Sequence, residues 1–129
     1  MNTDASGRYS AMYKPFHLIG LELNISILSA ALLGQPTGMT KAYNSDVIAT
    51  AKKPLKAGEM LDGEGGFTVW GQLYPAQAAR AIDGVPIGLA HNLKLTRDVG
   101  EGAPVTWSDV TEHPDSDILA LRASMQIGT

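Results

Sequence analysis

With 129 residues, 44% of them hydrophobic but only 6% aromatic, the chain suits one domain, or one compact core with a helical arm, filled mainly by Leu, Ile, Val and Ala. A net charge of −3 without a dense basic run excludes a nucleic-acid surface, which needs clustered Lys and Arg; Lys52, Lys53 and Lys56 come nearest to one. The absence of cysteine excludes a disulfide framework and a thiolate metal site, and is compatible with a cytoplasmic setting.

Residues 1–10 read as a flexible N-terminus, with Asp4 and Arg8 where a secretion signal would be apolar. Residues 11–45 read as a helical arm and linker. Pro15 biases Lys14 toward extended backbone, so regular helix begins after it. Leu21, Ile25, Leu28 and Leu32 then recur at helical spacing, with Leu18 one turn earlier, and Gly34 and Pro36 end the run. Residues 18–33 are shorter than the roughly 20 needed to span a bilayer and contain Glu22 and Asn24, so no membrane span is expected. The apolar face is broad, which predicts burial on more than one side, by the β core or by a partner subunit.

Residues 46–112 carry an internal repeat. Residues 51–61 slide onto residues 95–105 without a gap, pairing Lys53 with Arg97, Leu55 with Val99, Gly58 with Gly102 and Leu61 with Val105. Each copy reads as a short strand, a basic residue, an apolar anchor, a glycine turn and a second anchor opening the next strand. The spacing therefore predicts two hairpins burying their anchors against each other. Between the copies, Phe67-Thr68-Val69-Trp70 is rich in β-formers, and Tyr74 to Arg80 favours a short helix with Pro75 near its start, broken by Asp83-Gly84. Pro86 and Gly88 make the next segment a poor central strand, whereas Leu93 and Leu95 alternate with polar neighbours. Trp107 to Val110 closes the core. In residues 113–129, Asp115 or Ser116 is expected to cap a last helix with Ile118, Leu121 and Met125 on one face. Met12, Met39, Met60 and Met125 read as gap-fillers.

The repeat, together with Pro86-Ile87-Gly88-Leu89-Ala90, resembles the SAF domain, a β-clip module also found in antifreeze proteins and at the C-terminal end of sialic acid synthases. More closely, the chain is similar to the C-terminal region of the homoserine-dehydrogenase-like oxidoreductases, a family that includes reductoisomerase-like enzymes acting on deoxyxylulose phosphate. There a segment similar to Tyr13-Lys14-Pro15-Phe16-His17-Leu18 and Glu22 precedes the module, and one similar to Ile118-Leu119-Ala120-Leu121-Arg122 follows it. The resemblance covers about residues 9–125. It implies an α+β fold with a β-clip core, an N-terminal helix and a short C-terminal helix. Those enzymes also carry a Rossmann domain, and no Gly-x-Gly-x-x-Gly turn between strand and helix stands in this chain. Hydride transfer is therefore not expected of this polypeptide alone, and NAD(P) is expected only on a partner or missing domain.

The resemblance places Tyr13, Lys14, His17 and Glu22 at the edge of a substrate domain, where Lys14 would supply charge and His17 or Tyr13 a hydrogen bond or proton. Their simpler role is to staple the start of the helix. Lys53 and Arg97 could form a two-sided anion site across the repeat axis, or remain solvated strand residues. His17, His91 and His113 are too dispersed for a zinc spacing; His113 with Asp115 and Asp117 is the one local ligand-like set, and a capped turn explains it equally well. The leading expectation is a SAF-type subunit serving oligomerisation or substrate enclosure, either homo-oligomeric or beside a Rossmann-bearing chain. The alternative is a stand-alone binding module for a sugar acid or other small anion.

Overall fold

The computed structural model describes residues 3–39, 41–111 and 117–125. Within them the protein is α+β, with three α-helices and two small antiparallel sheets of two strands each. It divides into two compact units, Met1–Thr40 and Lys41–Thr129.

The first unit is built on helix α1 (Ile19–Leu33). Glu22 helps to start it, since one carboxylate oxygen accepts the Leu18 N–H at 3.2 Å, a donor without an intrahelical partner. Gly34 ends it in the left-handed conformation (φ 62°), and the Ser29 carbonyl accepts the N–H groups of Gly34 and Gln35. None of its 15 residues is buried, although 10 of them are Leu, Ile or Ala. The face formed by Leu21, Ile25, Leu28 and Leu32 is 67%, 66%, 51% and 75% exposed along the helix. Ahead of α1, the Asp4 carboxylate accepts hydrogen bonds from Ser6, Arg8 and Tyr9, closing a turn bridged by Thr3 and Ser10.

In the second unit, strand β1 (Ser45–Ala51) pairs with β3 (Val69–Pro75) from Ser45↔Pro75 to Ala51↔Val69. Strand β2 (Met60–Asp62) pairs with β4 (His91–Lys94). Between the two copies of the repeat the backbone bonds are exchanged reciprocally. Leu55 N–H donates to the Val99 carbonyl at 2.9 Å and Val99 N–H returns the bond at 3.0 Å. Gly58 N–H donates to Leu95 at 2.8 Å, and its counterpart Gly102 N–H donates to Ala51 at 2.9 Å. Leu95 N–H donates to Glu59, and Ala51 N–H to Ala103, both at 2.9 Å. Each bond thus has a twin with the repeat positions swapped.

That exchange brings all four anchors inside: Leu55, Leu61, Val99 and Val105 are buried with Val69, Val85, Leu93, Leu95 and Val110. Gly58 (φ 87°) and Gly102 (φ 74°) turn the two hairpins in a conformation that side chains resist. Downstream, Pro75 precedes helix α2 (Ala76–Ala81), and single 3-10 turns form at Ile87–Leu89 and Trp107–Asp109. Helix α3 (Asp117–Ser124) follows; the caps expected at Asp115 or Ser116, and His113, lie outside the described residues.

Two local expectations shift. Strand β3 starts at Val69 rather than Phe67, because Asp62 captures the preceding backbone: its carboxylate accepts the N–H groups of Phe67 at 2.5 Å and Thr68 at 3.0 Å, and the Thr68 hydroxyl. The methionines do not fill gaps at Met12, Met39 and Met60, which lie 76%, 79% and 51% exposed on outward faces.

The Asp62 carboxyl is held near pKa 2, chiefly by the Thr68 hydroxyl, against an opposing burial penalty, with the Phe67 and Thr68 N–H groups adding to the effect. Because the folded value lies below the unfolded one, its stabilisation is present above about pH 4 and lost as pH falls toward about 2. Asp62→Asn is expected to lower the urea midpoint at neutral pH and to make its decline over that acid window shallower. Around Gly58 and Gly102 there is open space, so only backbone strain opposes a methyl group. Gly58→Ala and Gly102→Ala should each cost about 1–2 kcal/mol, against about 2–5 kcal/mol for Leu61→Ala, measured by urea unfolding.

Candidate functional site

A concavity of the second unit, about 400 Å³, lies among α2, the Trp107 turn and α3. Its position follows from local chemistry. Helix α2 stops at Ile82, and Asp83 takes the left-handed conformation (φ 52°) while its N–H bonds the Arg80 carbonyl at 3.0 Å. The Asp83 carbonyl then accepts the Trp107 N–H at 3.0 Å, bringing the indole to the cavity wall. Gly84 passes so close to Ile48 that a Cβ there would stand 2.7 Å from Ile48 Cγ2.

A buried carboxylate holds the Trp107 turn. Asp109 Oδ2 accepts the Thr106 N–H and the Thr106 hydroxyl, both at 2.7 Å, forming a reciprocal cap. Arg97 Nε bonds the other Asp109 oxygen, and Arg97 Nη2 donates to Ser108 Oγ at 2.9 Å. Burial pushes the Asp109 carboxyl up, but the Thr106 and Arg97 hydrogen bonds outweigh it and hold the pKa below the usual range.

On the opposite wall, Tyr43 is buried and its hydroxyl donates to Asp46 Oδ2 at 2.6 Å. Arg122 of α3 pairs with the same Asp46 oxygen and donates to Tyr43 Oη at 3.3 Å. Burial raises the Asp46 carboxyl and these two donors overcome it, leaving its pKa lowered; burial, with Asp46 nearby, raises that of Tyr43. The guanidinium carbons of Arg80 and Arg122 lie 5.4 and 5.8 Å from the centre of the Tyr43 ring, within cation–π range. Arg80 also donates to the Met125 carbonyl. The cavity therefore has a basic, aromatic interior, with Asp83 also lining it.

Of the residues singled out by sequence, Lys14, His17 and Glu22 come together in the first unit. Glu22 pairs with Lys14 through one oxygen and with His17 Nδ1 through the other at 2.7 Å. Lys14, opposed by burial and helped by Leu18 N–H and His17, lowers the Glu22 pKa. Tyr13 is 88% exposed. In the second unit Lys53 Nζ lies 2.8 Å from Glu59, and Arg97 is paired with Asp109. The backbone repeat is thus not matched by a repeated acid, since Glu59 stands where the second copy has Ala103. Arg97 serves the cavity indirectly, through the turn that presents Trp107.

Sequence reasoning passed over Tyr43, Asp46, Arg80, Asp83 and Arg122 as a group. Their only local signal is the spacing of Arg80 and Asp83 beside Gly84, and nothing in it points to partners as remote as Tyr43 or Arg122. No protein-family model matches this chain, and no curated protein matches it either.

Helix α3 has eight residues and none buried, too few to persist without docking. Arg122→Ala, which strands Asp46, should cost about 1–3 kcal/mol. Hydrogen exchange of α3 should accelerate while the β1–β3 amides stay protected; unchanged α3 protection would contradict the docking role.

Proposed function

We propose that this chain is an assembly and substrate-enclosing module of the SAF, β-clip kind, related to the C-terminal part of a homoserine-dehydrogenase-like oxidoreductase. It works beside a chain or domain with a Rossmann fold, which in this reading carries the nicotinamide cofactor. The reciprocal hydrogen bonds between the repeat copies support the β-clip assignment. Lys14, His17 and Glu22, gathered at the start of α1, are the residues this reading places at the edge of a shared substrate site.

The observation that carries the proposal is α1. An apolar helix of 15 residues with nothing buried is unstable in water by itself. Covering even four of its Leu and Ile side chains would contribute on the order of 6–12 kcal/mol before association costs. A bilayer is a poor cover, because such a helix is only about 22 Å long, and no helix among the described residues is long and apolar enough to cross a membrane. A protein partner meets the requirement. The alternative reading, a small-anion binding module, draws its support from the arginine-lined cavity rather than from Lys53 and Arg97, whose charges are already met.

Sedimentation of the chain, alone and mixed with the product of the adjacent reading frame, tests the assembly. The wild type is expected to form a defined complex or oligomer. Ile25→Asp combined with Leu28→Asp should abolish it while leaving the β-sheet circular dichroism intact. A wild-type monomer at tens of micromolar in both mixtures overturns the proposal.

A further inference from the structure

The cavity between α2 and α3 holds two charged groups that make no ion pair among the described residues, Arg80 and Asp83. Arg122 is balanced by Asp46, so one of the two guanidinium charges is met from within. The other is not. Arg80 donates to a neutral backbone carbonyl, that of Met125, and forms no ion pair among the described residues. A guanidinium has five donors in a planar fork, so most of them remain for a ligand. Asp83 lines the same cavity three residues later, and its carboxylate makes no hydrogen bond or ion pair among the described residues, with Arg80 or with anything else. The left-handed Asp83 backbone, tied at both its N–H and its carbonyl, fixes where that acceptor starts.

We propose that this cavity binds a small carboxylate that carries a hydrogen-bond donor beside its acid group. The carboxylate takes the Arg80 fork, and the donor, a hydroxyl or an ammonium, goes to Asp83. Asp83 disfavours a plain anion by repulsion, and Arg80 disfavours a plain cation; a molecule bearing both functions satisfies both walls. At about 400 Å³ the cavity has room for such a molecule. Trp107 and Leu119 supply apolar wall for a short carbon body. The site belongs to the second unit alone and does not depend on assembly through α1, so its test is independent of the proposed function.

Calorimetry on the full chain at neutral pH with lactate and glycerate, with alanine and serine, and with propionate separates the possibilities, and quenching of the indole that is lost in Trp107→Phe locates the binding. Hydroxy acids or amino acids are expected to bind at least tenfold more tightly than propionate, and which pair does so identifies the donor. Arg80→Met should reduce that affinity at least tenfold, and Asp83→Ala should bring it down to the level of propionate; both side chains are exposed, and circular dichroism verifies that the variants fold. Binding by none of these acids, equal binding of propionate, or an unchanged affinity in Arg80→Met overturns the proposal.

Discussion

The second unit depends on one reciprocal pair of backbone hydrogen bonds, Leu55 to Val99 and Val99 to Leu55. A single hairpin of this length cannot bury its anchors or satisfy its own edge. Two copies that exchange bonds do both at once, because each supplies the donors and acceptors the other lacks. The glycine turns follow from the same constraint: the chain must reverse immediately after the first anchor, and a positive φ at Gly58 and Gly102 achieves this. Core packing is then a consequence, with Leu61 and Val105 carried inward by the strands that leave those turns.

Around this frame three carboxylates determine the shape of what is not repeated. Asp62 collects donors from Phe67 and Thr68 and sets where β3 starts. Asp109 closes the Trp107 turn and engages Arg97. Asp46 joins Tyr43 to Arg122, and so ties α3 to the edge of β1. Each is an acid in a position where burial or crowding penalises its charge, and each is held ionised by donors aimed at it. Two of them, Asp109 and Asp46, hold groups that line one cavity: the Trp107 indole, the Tyr43 ring and the Arg122 guanidinium.

Helix α1 raises the opposite question, since several of its polar groups have partners while its apolar side chains stay exposed. Its C-terminal carbonyl is capped, Glu22 binds Leu18, and Ser26 Oγ lies 2.8 Å from Thr37 Oγ1. The exposed Leu and Ile side chains are what the proposed partner would cover. The gathering of Lys14 and His17 on Glu22 at the start of that helix places titratable chemistry next to the same surface.

The repeat, its buried anchors, the helix ending at Gly34 and the break at Asp83-Gly84 were all legible in the sequence. Each is written in neighbouring residues: apolar spacing, a glycine where φ must be positive, a proline where a helix may start but not continue. The closeness of Lys14, His17 and Glu22 was legible for the same reason, all three lying within nine residues at the entry to α1. By contrast, the partners of Lys53 and Arg97 were decided by tertiary structure, because Asp109 reaches Arg97 only once the Trp107 turn is formed. The cavity was decided there too: Tyr43, Arg80 and Arg122 carry no shared periodicity, and β1–β3 pairing sets Arg80 of α2 beside Tyr43 while the docking of α3 through Asp46 adds Arg122.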